Sequence, residues 1–175
     1  MSDATLLVDT SREYFLGERR EMIAILISAG VAILIAFFVL IRLRDGFAAG
    51  FAFTVIIAAV LLGGTAFSLL KRDGPMLTAM TVEAQSGAVA AVREREIIRI
   101  TTIIEKYPIY HRVALALGMI AIVLAAFVSL PAARGVAAGL LLLVAAQFII
   151  DHYSESRARL YESKLGTMLQ GAFEP

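Results

Sequence analysis

Hydrophobic and polar positions divide the chain into four long apolar runs, 22–41, 47–70, 113–130 and 132–150, separated by polar segments. Their only charged side chain is Arg134, near the start of the last run. Each run is close to the ~20 apolar residues with which a helix crosses ~30 Å of hydrocarbon. Backbone N–H and C=O groups find no water there, so such runs are expected as helices that bond internally. A few residues around Arg42 and Arg44 separate the first two runs, and Pro131 separates the last two. The pattern predicts an all-α integral membrane protein: four transmembrane helices as two tandem hairpins, in one membrane domain over 1–175.

Helical character continues beyond the apolar runs. Residues 8–21 lead into the first with no Pro and a single Gly, and 151–170 leave the last with Glu155 and Arg159 at a helix-supporting spacing of four. Tyr153, Leu160, Leu165 and Met168 mark a partial apolar stripe along this tail. Between the hairpins, Asp73-Gly74-Pro75 is a helix-start signal and predicts an extension over 75–107, with a weak point at Gly87. There Ile97, Ile100, Thr101 and Ile104 share one face, set against the charged run Arg93-Glu94-Arg95-Glu96. At ~1.5 Å per residue, 88–107 would project about 30 Å from the membrane. Pro108 is expected to change the chain's direction at the membrane surface, as a proline in the first turn of a new helix.

The hairpins share a string. Shifting the sequence by 89 positions lays 32–55 over 121–144 without a gap, and ten of the 24 positions are identical. Among them are the glycines of GFAAGF (Gly46, Gly50) and GVAAGL (Gly135, Gly139). Two glycines four apart lie on one helix face and let another backbone approach closely, where lipid supplies no hydrophobic drive for packing. Duplication of one hairpin is the expected origin, and close packing within each hairpin the expected use of the glycines. Gln147, the only amide in the apolar runs, is expected to bond to a neighbouring helix.

Composition agrees with a membrane setting, at 59% hydrophobic residues and a mean hydropathy of +0.82. The first run follows five acidic residues, Asp3, Asp9, Glu13, Glu18 and Glu21, and so reads as a permanent anchor rather than a signal peptide with a basic start. Lys and Arg set the expected orientation. Thirteen fall in the N-terminal segment, the central segment and the tail, and three (Arg42, Arg44, Arg134) in the two short turns. Both termini and the central segment are therefore expected on the cytoplasmic side, in the manner of a bacterial inner-membrane protein. Tyr107, Tyr110, Arg112 and Tyr153 lie near span ends on that side and are expected as interfacial anchors. A net charge of +1 with interspersed acids argues against nucleic acid as a partner.

Chemistry is sparse. There is no cysteine, hence no disulfide or thiolate ligand, and no phosphate loop, H-E-x-x-H helix or nucleophile elbow. Glu18 and Glu21 beside Arg19 and Arg20 read as a solvated helix face. Under the 89-residue shift the second hairpin carries polar groups where the first is apolar: His111 for Met22, Arg112 for Ile23, Asp151 for Leu62 and His152 for Gly63. His111, Asp151, His152 and Glu155 form a candidate divalent-metal or proton site at that edge, against the plainer expectation of an anchoring belt. The expected function is a non-enzymatic membrane module, a homo-oligomer or accessory subunit whose cytoplasmic helices bind a partner. Its partners are the lipid bilayer and itself or another membrane protein. A small channel or transporter is one alternative, and an interfacial metal-dependent enzyme or carrier using the His/Asp/Glu cluster is the other.

Overall fold

A computed structural model describes residues 2–170, with side chains to 168. It contains five helices and four long apolar rods. Helix α1 (Asp3–Leu43) opens on Ser2, whose hydroxyl accepts from the Thr5 N–H at 3.3 Å, with Asp3 in the electropositive first turn. It ends at Arg44, the one non-glycine residue with positive φ (52°) among the described residues, whose N–H closes on the Leu40 carbonyl. Asp45 then caps α2 (Gly46–Gln85), its carboxylate accepting from the Ala48 N–H at 2.8 Å. The first hairpin thus turns on two residues.

At Asp73-Gly74-Pro75 no helix begins; α2 passes straight through this stretch. An interior proline removes one backbone bond, and packing on both sides of it holds the helix continuous: Asp73 is buried, and Met76, Leu77 and Met80 lie against the polar-end core. The chain reverses at Gly87, whose φ of +98° suits a residue without a Cβ. Helix α3 (Val89–Ile104) therefore runs back alongside α2 instead of projecting freely. After Glu105-Lys106, α4 (Tyr107–Phe127) starts with Pro108 in its first turn, where the missing N–H is harmless. Pro131 opens α5 (Pro131–Gln170) in the same way.

With α3 and α4 forming one broken rod, four helices among the described residues are long and apolar enough to cross a membrane. At ~1.5 Å per residue the 41 residues of α1 extend roughly 60 Å, twice a hydrocarbon core. The two ends differ. Towards the termini, α1, α2, α3 and α5 enclose a core of Leu7, Tyr14, Phe15, Val92, Ile100, Tyr161 and Leu165. In the apolar half, Ala36, Ala52 and Val55 are buried between α1 and α2, while large side chains point outward: Leu34 is 70% exposed, Phe53 66% and Phe127 83%. An apolar surface of that extent suits lipid as solvent.

In the apolar half the helices follow the order α1, α2, α5, α4. Packing there departs from the expected glycine use. A Cβ on Gly50 would overlap the Ala132 carbonyl, and one on Gly135 the Phe47 carbonyl. A Cβ on Gly139 would lie 2.8 Å from Thr54 Cβ, and one on Gly46 3.4 Å from the Ala132 nitrogen. Each string therefore faces the other hairpin, α2 against α5, rather than the first helix of its own. The turns also fall out of register under the 89-residue shift. Gly46 is the first residue of α2, whereas Gly135 lies one turn inside α5.

Candidate functional site

The sequence cluster is only partly assembled. His111 Nε2 lies 3.8 Å from Asp151 Oδ2, within ion-pair reach but beyond a hydrogen bond. Gln147 donates to Asp151 Oδ1 at 2.7 Å, one turn earlier on the same helix, so it binds no neighbouring helix. His152 is exposed and meets Tyr153 edge-on, while Glu155 accepts from Arg159 at 2.9 and 2.6 Å. His152 points away from the buried Asp151 because consecutive helix residues are ~100° apart, whereas Glu155, one turn on, shares its face but is taken by Arg159. No three His, Cys, Asp or Glu side chains among the described residues form a metal-holding group. Tyr110, Arg112 and Tyr153 are exposed at this level. Tyr107 is instead buried in the polar-end core, which leaves it no surface to anchor.

A larger polar arrangement lies inside the polar-end bundle. Glu18, the expected solvated residue, is 7% exposed, and Asp73 and Glu96 are buried with it. Arg72 donates to Asp73 at 2.9 Å and approaches Glu18 at 3.7 Å. Arg99 holds Glu96 at 2.8 Å and lies over the rings of Tyr14 and Phe15. Tyr161 bridges Ser11 (2.8 Å) and Glu96 (3.1 Å) and stacks on Tyr14. Burial pushes the Tyr14 and Tyr161 hydroxyls far above the usual phenol range, and Tyr107 up to about 12. It also raises the Glu18 carboxyl, with Asp73 adding to the effect and Arg72 opposing it. Glu18 Oε2 and Asp73 Oδ2 have no hydrogen-bond partner among the described residues.

The helical period carried part of this signal. Thr10, Tyr14 and Glu18 recur four apart, as do Val92, Glu96 and Ile100, so each carboxylate shares a face with core residues. Reading acids as solvated by default hid it. The stripe on α5 is likewise rotated from expectation: Ala158, Tyr161 and Leu165 are buried, while Tyr153 and Leu160 are exposed.

Beyond the polar belt runs an apolar groove of about 750 Å³. Its floor is the small face of α2, Val55, Ala58 and Ala59, and its walls are α1 and α5. α1 and α5 both pack on α2 and meet each other at the polar end, while α4 packs on α5, so the groove lies between the three helices α1, α2 and α5. Ala24, Ser28, Leu142 and Ile149 line it and are exposed, so it opens sideways. At its polar mouth stand Gly17, Arg20, Glu21 and Arg157, with Glu21 accepting from Arg157 and from Ser154.

Comparison with protein-family models, curated proteins and solved structures finds no match to the chain.

Proposed function

We propose that the chain is a non-enzymatic module integral to the membrane, with both termini cytoplasmic, that holds an amphiphilic ligand in the groove between α1, α2 and α5. The groove is the observation that carries this reading. Its volume of about 750 Å³ lies within the ~300–1,000 Å³ of small-ligand pockets. A spanning helix, ~10 Å across and ~30 Å long, occupies about 2,400 Å³. An acyl chain therefore suits the space better than a further helix. From Gly17 to Ala32 the α1 wall extends about 22 Å, more than the ~15 Å of one hydrocarbon leaflet, which brings the charged mouth to headgroup depth.

The same geometry moves the expected partner from the extramembrane helices into the bilayer, because Ile100, Tyr161 and Leu165 are consumed by the chain's own core. It favours the module over a channel. Thr54, Thr65 and Ser68 bond back to their own helix carbonyls instead of lining a path. The shared 24-residue string supports descent of the two hairpins from one unit.

Quantifying lipid that copurifies in mild detergent tests the proposal. Wild-type protein should retain at least one equivalent through repeated washing, and Ala24→Phe or Ala146→Phe, each placing a ring in the groove, should lose it. Equal retention by the folded variants would overturn the reading.

A further inference from the structure

The apolar groove is one of two cavities along the α1/α5 seam. A second, of about 360 Å³, lies nearer the termini and is lined by Thr10, Glu13, Tyr14, Tyr161 and Lys164. Gly17, Arg20 and Arg157 line both cavities, so the two meet at these residues. Gly17 keeps the junction narrow in content but open: a Cβ there would come within 2.9 Å of Arg157 Cδ. One side of the junction is apolar and the other carries hydroxyls and charges, the polarity pattern of a lipid molecule.

The charges at the junction are unequal. Glu21 is taken by Arg157, and Glu13 accepts from Lys164 at 2.6 Å. Arg20 is exposed and has no ion-pair partner among the described residues. Arg157 Nε is buried and has no acceptor among the described residues. Both arginines line the junction, and the free guanidinium of Arg20 is complementary to phosphate oxygens, which accept such donors strongly.

Resting on the groove reading above, we infer that the ligand is an anionic phospholipid, its acyl chain in the groove and its headgroup phosphate on Arg20 and Arg157. Arg20 gains a counter-charge. Glu13 and Glu21 keep their cations and disfavour a headgroup bearing additional carboxylates.

Native mass spectrometry of the full chain, released from nanodiscs of equimolar phosphatidylglycerol and phosphatidylcholine, tests this. Wild type should retain phosphatidylglycerol in preference. Arg20→Gln, an exposed change, should lower that preference about fivefold, the scale of one cation near an anionic leaflet, and Arg20→Lys should keep most of it. Ala146→Phe should remove both lipids. Retention of both lipids without preference in wild type, or an unchanged preference in Arg20→Gln, overturns the headgroup assignment while leaving the groove reading standing. Persistence of phosphatidylglycerol on Ala146→Phe overturns both. Soluble glycerol phosphate binding equally to wild type and Ala146→Phe would assign the polar cavity to a free anion and also overturn the lipid assignment.

Discussion

The reciprocal glycine contact between α2 and α5 makes an unusually sharp demand on four Gly→Ala substitutions. Alanine at position 50 places its Cβ 2.9 Å from the Ala132 carbonyl carbon and 3.1 Å from the Val136 nitrogen. At position 135 it lies 2.8 Å from the Phe51 nitrogen. These neighbours are backbone, which cannot swing aside, so the helices must separate by about 1 Å to restore ordinary contact. Overpacking of this kind costs ~1–3 kcal/mol, offset by the ~1 kcal/mol that alanine gains over glycine in a helix. Gly30 and Gly64 have nothing within 4 Å of an added Cβ, so alanine there keeps only the gain. SDS titration in mixed micelles, followed by far-UV circular dichroism, should place Gly50→Ala and Gly135→Ala about 2 kcal/mol below Gly30→Ala and Gly64→Ala. Four indistinguishable variants would refute close α2–α5 contact. A loss confined to Gly30 and Gly64 would put the tight helix face elsewhere.

Other consequences concern the polar end. Glu18 has a raised carboxyl, so the folded state binds its proton more tightly than the unfolded chain. Its contribution is full below the ordinary glutamate range and is lost as pH rises through the raised folded value. Glu18→Gln should accordingly match wild type near pH 4 and exceed it in stability at pH 8; a variant weaker than wild type at pH 8 would instead make the carboxylate a net stabiliser through Arg72. Tyr161→Phe leaves the Ser11 hydroxyl without its buried partner and takes one donor from Glu96, which keeps Arg99, and should cost ~1–3 kcal/mol in the same titration, whereas a neutral result would contradict the bridge. Leu165→Ala, at a fully buried position, should cost ~2–5 kcal/mol, and Leu160→Ala, at a position 56% exposed, little. Equal costs would mean that α5 is rotated from the described orientation.

The comparison of Leu165 with Leu160 also marks how far the sequence could be read. Run length and near-absence of charge mark a helix long and apolar enough to cross a membrane almost alone, because a single segment in hydrocarbon can satisfy its backbone only internally. The four rods were legible for that reason. Rotation of a helix about its axis depends on what surrounds it, and the tail stripe mixed two residues that face the core or its edge with two that do not. At Asp73-Gly74-Pro75 a local start signal was overridden by packing on both sides, and the central segment folded back at Gly87 onto α2. The glycine strings were legible as close-packing faces, but their partner depended on helix order, which spacing does not encode. Within the candidate site, Asp151 and His111 were found from the asymmetry between hairpins. Glu18 and Glu96 were missed because their burial draws on partners from other helices, Arg72 of α2 for Glu18 and Tyr161 of α5 for Glu96, while Arg72 and Arg99 hold Asp73 and Glu96 from within their own helices. The groove itself belongs to no single helix and lies between α1, α2 and α5.

Where a lipid chain sits is the central claim, and photocrosslinking tests it most directly. Wild-type protein in nanodiscs containing a phospholipid with a mid-chain diazirine would be irradiated, digested and mapped by tandem mass spectrometry. Preferential labelling of Ala24–Ala32, Val55–Leu62 and Gly139–Ile150, reduced severalfold in Ala146→Phe, is the predicted result. Labelling spread evenly over these segments and the exposed outer face of α4, at Val113, Met119 and Phe127, and unchanged in the variant, would contradict a lipid held in the groove.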